Sequence, residues 1–427
     1  MKIFKKILLR TTTMLAFVLL SHSLILAQAN FVSCVVVNND GDTLKGSIDY
    51  RNWEKNPKSI TFIKTGEQIA TELGPLSIKS FKVKNELYVS ATVLTELSSS
   101  ATNDLDYDPQ LKTKTDTVFL LTLVEGPKRL YYLKNTQSIE NYYIKTGDGF
   151  ELLIYKAYFK DIDYNTVKVE NKKFTGQLLL YFNDRPDANE LVKNATYKTK
   201  SLMAVFKKYY AAKKDVQPYF YIAEKSATYF GLVAGNTLTQ IEFNSVDFPS
   251  LEKMYFTTNT NFTFGAYIDF ALPRNLARWS IKTDLLFTSY SYKGEYLVKV
   301  NDDSYTKTSA YFDFSYMKIS PMLRYKHKLN NIYLFANVGL SAGLAQTASA
   351  YRTIETKFYD YHDVKTSNYF DPPRKFEQGA LMGAGVVYNN LSFETRLELG
   401  NGFSNQMGTS SNTTTFYFLL GYQFKKY

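Results

Sequence analysis

The residues from Thr413 to Tyr427 alternate with period two. Phe416, Phe418, Leu420, Tyr422 and Phe424 fall on one side, and Tyr417, Leu419, Gly421 and Gln423 on the other. Successive side chains of a strand point to opposite faces, so the stretch predicts a β-strand. One of its faces is continuously large and apolar, with aromatics at both ends. A strand with one face against lipid and its ends at the two interfaces reads this way. So does the last strand of a soluble sandwich, and one strand does not separate them. Seven further strands of the same kind would have to precede it.

Alternation supplies them, at about 226–236, 261–272, 278–289, 311–326, 331–345, 380–388 and 391–400. In the second, Phe262, Phe264, Ala266, Ile268 and Phe270 share a face. In the fifth, Ile332, Leu334, Ala336, Val338, Leu340, Ala342 and Leu344 do. The opposite faces carry charge of both signs: Asp269; Lys282 and Asp284; Lys318 and Arg324; Glu394, Arg396 and Glu398. Mixed charges on several strands suit the filled interior of a small barrel, where buried charges must pair. The connections sort by length. Long polar segments at 237–260, 290–310, 346–379 and 401–412 alternate with tight ones at 273–275, 327–330 and 389–390, as in transmembrane barrels. Pro321 removes a ladder donor from the fourth strand, an objection to that strand unless the proline marks a bulge. An eight-stranded barrel is filled by its own side chains, so we expect no open pore. Aromatic residues make up 16% of the chain, with 35 Tyr and 31 Phe, which suits aromatic girdles.

Residues 1–29 read as a signal peptide: Lys2, Lys5, Lys6 and Arg10, then a mostly apolar stretch to Ala27, then Ala27-Gln28-Ala29 as a cleavage site. An uncleaved anchor is the alternative. Cleavage lowers the formal net charge from +11 to about +7. This mildly basic balance fits anionic lipid or an envelope polymer as well as nucleic acid, so it decides nothing; no nucleic-acid partner is expected of this chain. Cys34 is the one cysteine, so no disulfide forms within the chain. A buried strand cysteine is the expectation; lipidation at Cys34 is the alternative. Residues 30–160 read as a β-rich domain of short strands, opened by a hairpin whose turn is Asn38-Asn39-Asp40-Gly41-Asp42. Residues 161–215 read as a connecting segment. Asp187 is placed to cap a helix. After it, Leu191, Val192, Ala195, Leu202, Val205 and Phe206 recur at helical spacing among many lysines, an amphipathic basic helix.

Two stretches carry a family resemblance. The run from Asn38 through Gly46, followed by Tyr50-Arg51-Asn52-Trp53, resembles the N-terminal region of Bacteroidetes-type envelope proteins with no established activity. Residues 216–427 resemble the small outer-membrane barrels of the OmpX-like and PorT-like kind, through the strand pattern, the loop alternation and the aromatic last strand. The resemblance implies a mainly β chain. Its C-terminal half would be an eight-stranded antiparallel transmembrane β-barrel, preceded by a β-rich periplasmic domain and the amphipathic helical segment. It also implies the outer membrane as location, outer-membrane lipid as surroundings and the barrel-assembly machinery as a partner during biogenesis. Phe424 is in phase with the terminal signal of that class, and Tyr427 is not.

Catalytic chemistry is sparse. With the signal peptide removed, His327 and His362 remain. His327 sits in a tight turn. His362 lies in Tyr359-Asp360-Tyr361-His362-Asp363 and could act as a base only with a serine nearby. No phosphate-binding glycine motif, metal-ligand spacing or paired catalytic carboxylates are present, so no cofactor or metal is expected. Asn301-Asp302-Asp303 reads as a solvated turn. The expected function is therefore non-enzymatic: a barrel anchoring a periplasmic domain, with Tyr351, Tyr359, Tyr361, His362 and Tyr369 as external contacts for binding or envelope assembly. A periplasmic protein or cell-wall partner is the expected occupant of the N-terminal domain. The alternative is a lipid-directed enzyme using His362.

Overall fold

The computed structural model describes residues 30–213, 215–370, 372–404 and 406–425. The signal-peptide reading, Lys214, Lys426 and Tyr427 lie outside the described residues. The chain divides into two compact units, with the boundary between Ala223 and Glu224.

The first unit is built on one antiparallel sheet. The strands Phe31–Asn38 and Thr43–Asp49 form the opening hairpin, paired from Phe31–Asp49 to Val37–Thr43. Gly41 takes φ +98° in its turn, where a side chain would be strained. Ile78–Val83, Glu86–Glu96, Thr113–Glu125, Leu130–Lys134, Glu140–Thr146 and Gly149–Leu152 extend the sheet beside Phe31–Asn38; Ile60–Lys64 and Thr71–Leu73 extend it beside Thr43–Asp49. Cys34 is buried on its strand. Leu178-Leu179-Leu180-Tyr181 ends the helix Lys173–Tyr181, which buries Phe174, Leu178 and Tyr181. Asp187 precedes the helix Ala188–Val192 but makes no side-chain cap. Its carboxylate accepts from the Arg185 guanidinium instead, 2.7 Å from Nε. The basic helix is Thr199–Ala211. Leu202, Met203, Val205, Phe206, Tyr209 and Tyr210 form its buried face.

The second unit is a ring. Its eight strands are Thr228–Ser245, Asn259–Ala271, Trp279–Asn301, Ser304–Leu329, Ile332–Phe358, Phe376–Tyr388, Leu391–Gly400 and Thr409–Gln423. Each pairs antiparallel with the next, and the eighth pairs with the first from Gly231–Gln423 to Ser245–Thr409, so the ring has no break. Stepping across successive pairs from Tyr229 leads through Asp269, Lys282, Met322, Gly339, Leu381, Glu398 and Thr415. The path re-enters the first strand at Thr239, ten residues from where it began. For eight strands, that stagger gives a tilt of about 40° at about 3.3 Å per residue and about 4.8 Å between strands.

The connections differ from the expected sorting on the long-loop side, where several strands run into the expected loops. The tight ones hold: residues 272–278, 330–331 and 389–390, with Asn330 at φ +52° and Asn389 at φ +54°, a conformation asparagine tolerates. Residues 290–310, expected as a long polar loop, are strand. The third and fourth strands continue as a hairpin to a two-residue turn at Asp302-Asp303. The fifth strand likewise runs to Phe358, and Tyr361–Asn368 folds back along it. Polarity ended the strands too early in the sequence reading. Backbone pairing continues with both faces polar once neither is buried.

Pro321 makes no bulge. The fourth and fifth strands keep one register across it, from Ile319–Ala342 to Met322–Gly339, with two pairs omitted. The bulge lies instead at Ser315/Tyr316.

Candidate functional site

The exterior of the ring is apolar. Leu420 is 66% exposed, and Met382 and Val338 are each 59% exposed, while the alternate residues Asp269 and Asp284 are fully buried. The sequence alternation is thus turned inside out relative to a soluble domain. The belt runs on the last strand from Phe424 to Phe416, eight steps that span about 20 Å along the axis at a 40° tilt before side chains are added. That compares with the roughly 25 Å apolar band of membrane barrels.

Among the described residues the interior carries five buried carboxylates, Asp269, Asp284, Glu377, Glu394 and Glu398, and five buried cations, Lys282, Lys318, Arg324, Lys326 and Arg396. They form two clusters. In the one nearer the tight turns, Arg396 Nη2 lies 2.5 Å from Asp284 and 2.7 Å from Glu394. Lys282 pairs with Asp284. Arg324 reaches Glu394 at 3.3 Å and Asp269 at 3.4 Å, and its Nε donates to Asn337 Oδ1 at 2.8 Å. Asn337 in turn donates to Glu394 at 3.0 Å. Lys326 lies 3.7 Å from Asp269. In the second cluster Lys318 sits between Glu377 at 2.8 Å and Glu398 at 2.9 Å. Tyr417 and Ser341 donate to Glu398 at 2.5 and 2.7 Å, and Thr413 donates to Glu377 at 2.6 Å. Equal numbers of opposite charges, hydrogen-bonded around their rims, are what a dry interior requires.

Beyond these clusters, toward the long loops, the interior becomes aromatic. Phe243, Phe256, Tyr290, Tyr292, Phe312, Phe314, Tyr316, Phe370 and Phe403 belong to one buried cluster. The rings of Phe314 and Phe403 stack with centroids 4.0 Å apart. The short helix Pro249–Lys253 contributes Leu251 to this plug.

All eight sequence-predicted interior charges, Asp269, Lys282, Asp284, Lys318, Arg324, Glu394, Arg396 and Glu398, lie buried in the ring. Glu377 and Lys326 were missed. Lys326 was in phase with Arg324. Glu377 lies before the residue where apolar alternation begins. The aromatic plug was also legible in phase: Phe312, Phe314 and Tyr316 share the parity of Lys318.

The predicted contact residues separate. Past the barrel wall the third, fourth and fifth strands and Tyr361–Asn368 form a four-stranded sheet. Tyr359 and Tyr361 are exposed at its tip, and Tyr351 is partly exposed, packed on Tyr311 with centroids 4.8 Å apart. His362 is on this sheet, with Nε2 3.1 Å from Glu355 Oε1, which also accepts from Tyr305 at 2.8 Å. Tyr369 is not a contact residue. It is buried, its N–H donates to Ala350 O at 2.9 Å, and its ring packs edge-on to Phe248 at 5.3 Å. The chain turns inward after Asn368, which draws Tyr369 and Phe370 into the plug. At the Asp302-Asp303 turn, Lys357 lies 2.9 Å from Asp303 and Lys299 pairs with Asp302, so the carboxylates already have cations. No group of three or more metal-ligating side chains occurs among the described residues.

A closed antiparallel ring of eight strands, apolar outside and charged inside, defines a small filled β-barrel. No family model and no curated protein sequence matches the chain. Among solved structures it is similar to Neisserial surface protein A, with 10% identity and a TM-score of 0.23 over 47% of this chain and 100% of that one. It is similar to Ail, the attachment invasion locus protein of Yersinia pestis, in complex with sucrose octasulfate, with 10% identity and a TM-score of 0.21 over 46% and 99%. OprG from Pseudomonas aeruginosa aligns at 14% identity and a TM-score of 0.26 over 47% and 97%. At such scores these likenesses carry no argument about function.

Proposed function

We propose that this chain is a non-enzymatic outer-membrane β-barrel protein. The barrel anchors the N-terminal unit on the periplasmic side and presents the four-stranded sheet outside as a binding surface. The observation that carries this reading is the inverted ring: apolar residues outside, ten charged groups inside. An exposed apolar belt of this extent is stable only against lipid. An even number of strands returns both chain ends to one side, and the tight turns share that side.

Cell-surface labelling tests it. Thr306→Cys, in the protruding sheet, is expected to react with a membrane-impermeant maleimide on intact cells. Asn330→Cys, in a tight turn, is expected to react only after lysis. The reverse pattern, or protein free in the periplasmic extract, overturns the assignment.

The enzymatic reading centres on His362. Its ring is engaged by Glu355 on an exposed face, an arrangement suited to fixing the sheet tip. His362→Ala is accordingly expected to leave lipid composition unchanged in cells expressing the protein.

A further inference from the structure

The outer part of the third barrel strand, Trp279–Asn301, is a sheet edge. It stays paired with the fourth strand out to Asn301–Ser304, but its last pair with the second strand is Phe287–Phe264. On the second-strand side, Thr263 Oγ1 donates to Phe287 O at 2.8 Å, and Ser291 N–H donates to Asn259 Oδ1 at 3.2 Å. Odd-numbered residues of the third strand therefore aim their N–H and C=O groups that way. The register with the fourth strand is unbroken from Trp279 to Lys299, so the alternation persists. The second strand begins at Asn259, and beyond it the backbone groups of Glu295, Leu297 and Lys299 face an edge with no paired strand among the described residues.

Leu297, Val298 and Val300 are each more than half exposed on this edge. Charge usually blunts such an edge against pairing. Here the charges are of opposite sign and stand two residues either side of Leu297. Turned antiparallel about Leu297, the edge is complementary to itself. Leu297 meets Leu297 of a second copy, Glu295 meets that copy's Lys299, and Tyr296 meets its Val298. The three odd residues fall in the hydrogen-bonded positions, where N–H and C=O are exchanged in both directions. Glu295 already meets Lys307 at 3.0 Å and Lys299 pairs with Asp302, but 44% and 48% of the two side chains are exposed and open to a further ion.

We propose that this edge pairs with the same edge of a second copy, and that the two copies stand in facing membranes. Copies in one membrane are related by an axis along the membrane normal. Such an axis keeps the outward component of every strand, so at a tilt of about 40° two third strands never run antiparallel. A copy in an opposed membrane runs the other way and meets the register. The proposal rests on the membrane reading given above, with this sheet outside.

The test uses the mature chain in phosphatidylcholine vesicles, one set labelled red and one green, with clustering followed by light scattering and two-colour coincidence. Red and green vesicles that both carry the chain are expected to cluster. Glu295→Lys and Lys299→Glu each set like charges opposite one another twice, and each alone is expected to slow clustering about tenfold. Vesicles bearing Glu295→Lys mixed with vesicles bearing Lys299→Glu are expected to cluster like the unaltered chain, because both ion pairs are restored across copies. Leu297→Pro removes an edge N–H outside the ladder with the fourth strand, and is expected to abolish clustering. The gel shift on heating shows that each variant barrel still folds. Clustering of loaded with empty vesicles assigns the edge to lipid and overturns the proposal. So do absent clustering of the unaltered chain, indifference to any of the three substitutions, and failure of the mixed rescue. Failure of the chain to float with vesicles overturns the membrane reading itself, a separate result.

Discussion

Lys318 shows most clearly how single residues are constrained here. Its ammonium lies 2.8 Å from Glu377 and 2.9 Å from Glu398, with all three buried. Removing the cation leaves two carboxylates facing each other without water. Lys318→Ala is therefore expected to cost about 3–5 kcal/mol, the usual penalty of breaking a buried pair from one side. Lys318→Met combined with Glu398→Gln is expected to recover part of it. The urea midpoint of the heat-dependent gel shift measures both. Cys34 makes a second residue-scale prediction. Burial pushes its thiol up to about 11, so the unreactive thiol form dominates at neutral pH. Labelling of Cys34 by maleimide at pH 7 is expected only after denaturation, and the mature chain is expected to carry no lipid mass on it. Rapid labelling of folded protein would contradict the burial.

At the scale of elements, strands outlast their apolar pattern. The third and fourth strands pair from Trp279–Tyr325 out to Asn301–Ser304, far beyond the belt. Only the inner part is held by the interior ion pairs and the plug. Replacing residues 296–307 by a two-residue Asn-Gly turn is expected to leave the gel shift and the urea midpoint nearly unchanged, because ring closure does not involve those pairs. A large loss of barrel stability would show that the outer hairpin supports the ring. The same distinction explains what the sequence concealed. Alternation between apolar and polar residues marks a strand when one face meets a different medium. Residues 297–303 meet water on both faces, beyond the plug to which Tyr290, Tyr292 and Ala310 still belong, so their pairing leaves little pattern. Tyr369 was read as loop surface because nothing local marks an inward turn.

For the whole molecule, the interior predicts function by what it blocks. Two ionic clusters and an aromatic plug occupy the ring along its axis. Planar-bilayer recordings of the mature chain are expected to show no steady open-channel conductance. A stable channel would contradict the filled interior. No helix among the described residues is long and apolar enough to cross a membrane.

The sequence by itself determined the strands and their two faces. The period of two that separates Phe416, Phe418 and Leu420 from Tyr417 and Leu419 is local stereochemistry, readable without a fold. So was the parity that groups Glu394, Arg396 and Glu398. Mixed charges on several strands pointed the charged face inward, but alternation alone left the choice between an open sandwich and a closed barrel, which share it. Only the tertiary structure decided it. The eighth strand pairs with the first, and a ten-residue stagger curls the sheet into a ring too narrow to hold anything but its own side chains. Closure sends the charged face into a space where every ion must find a partner, and leaves the apolar face outside. The partners come from strands far apart in sequence, as Arg396 finds Asp284, so the pairing belongs to the ring and not to any strand.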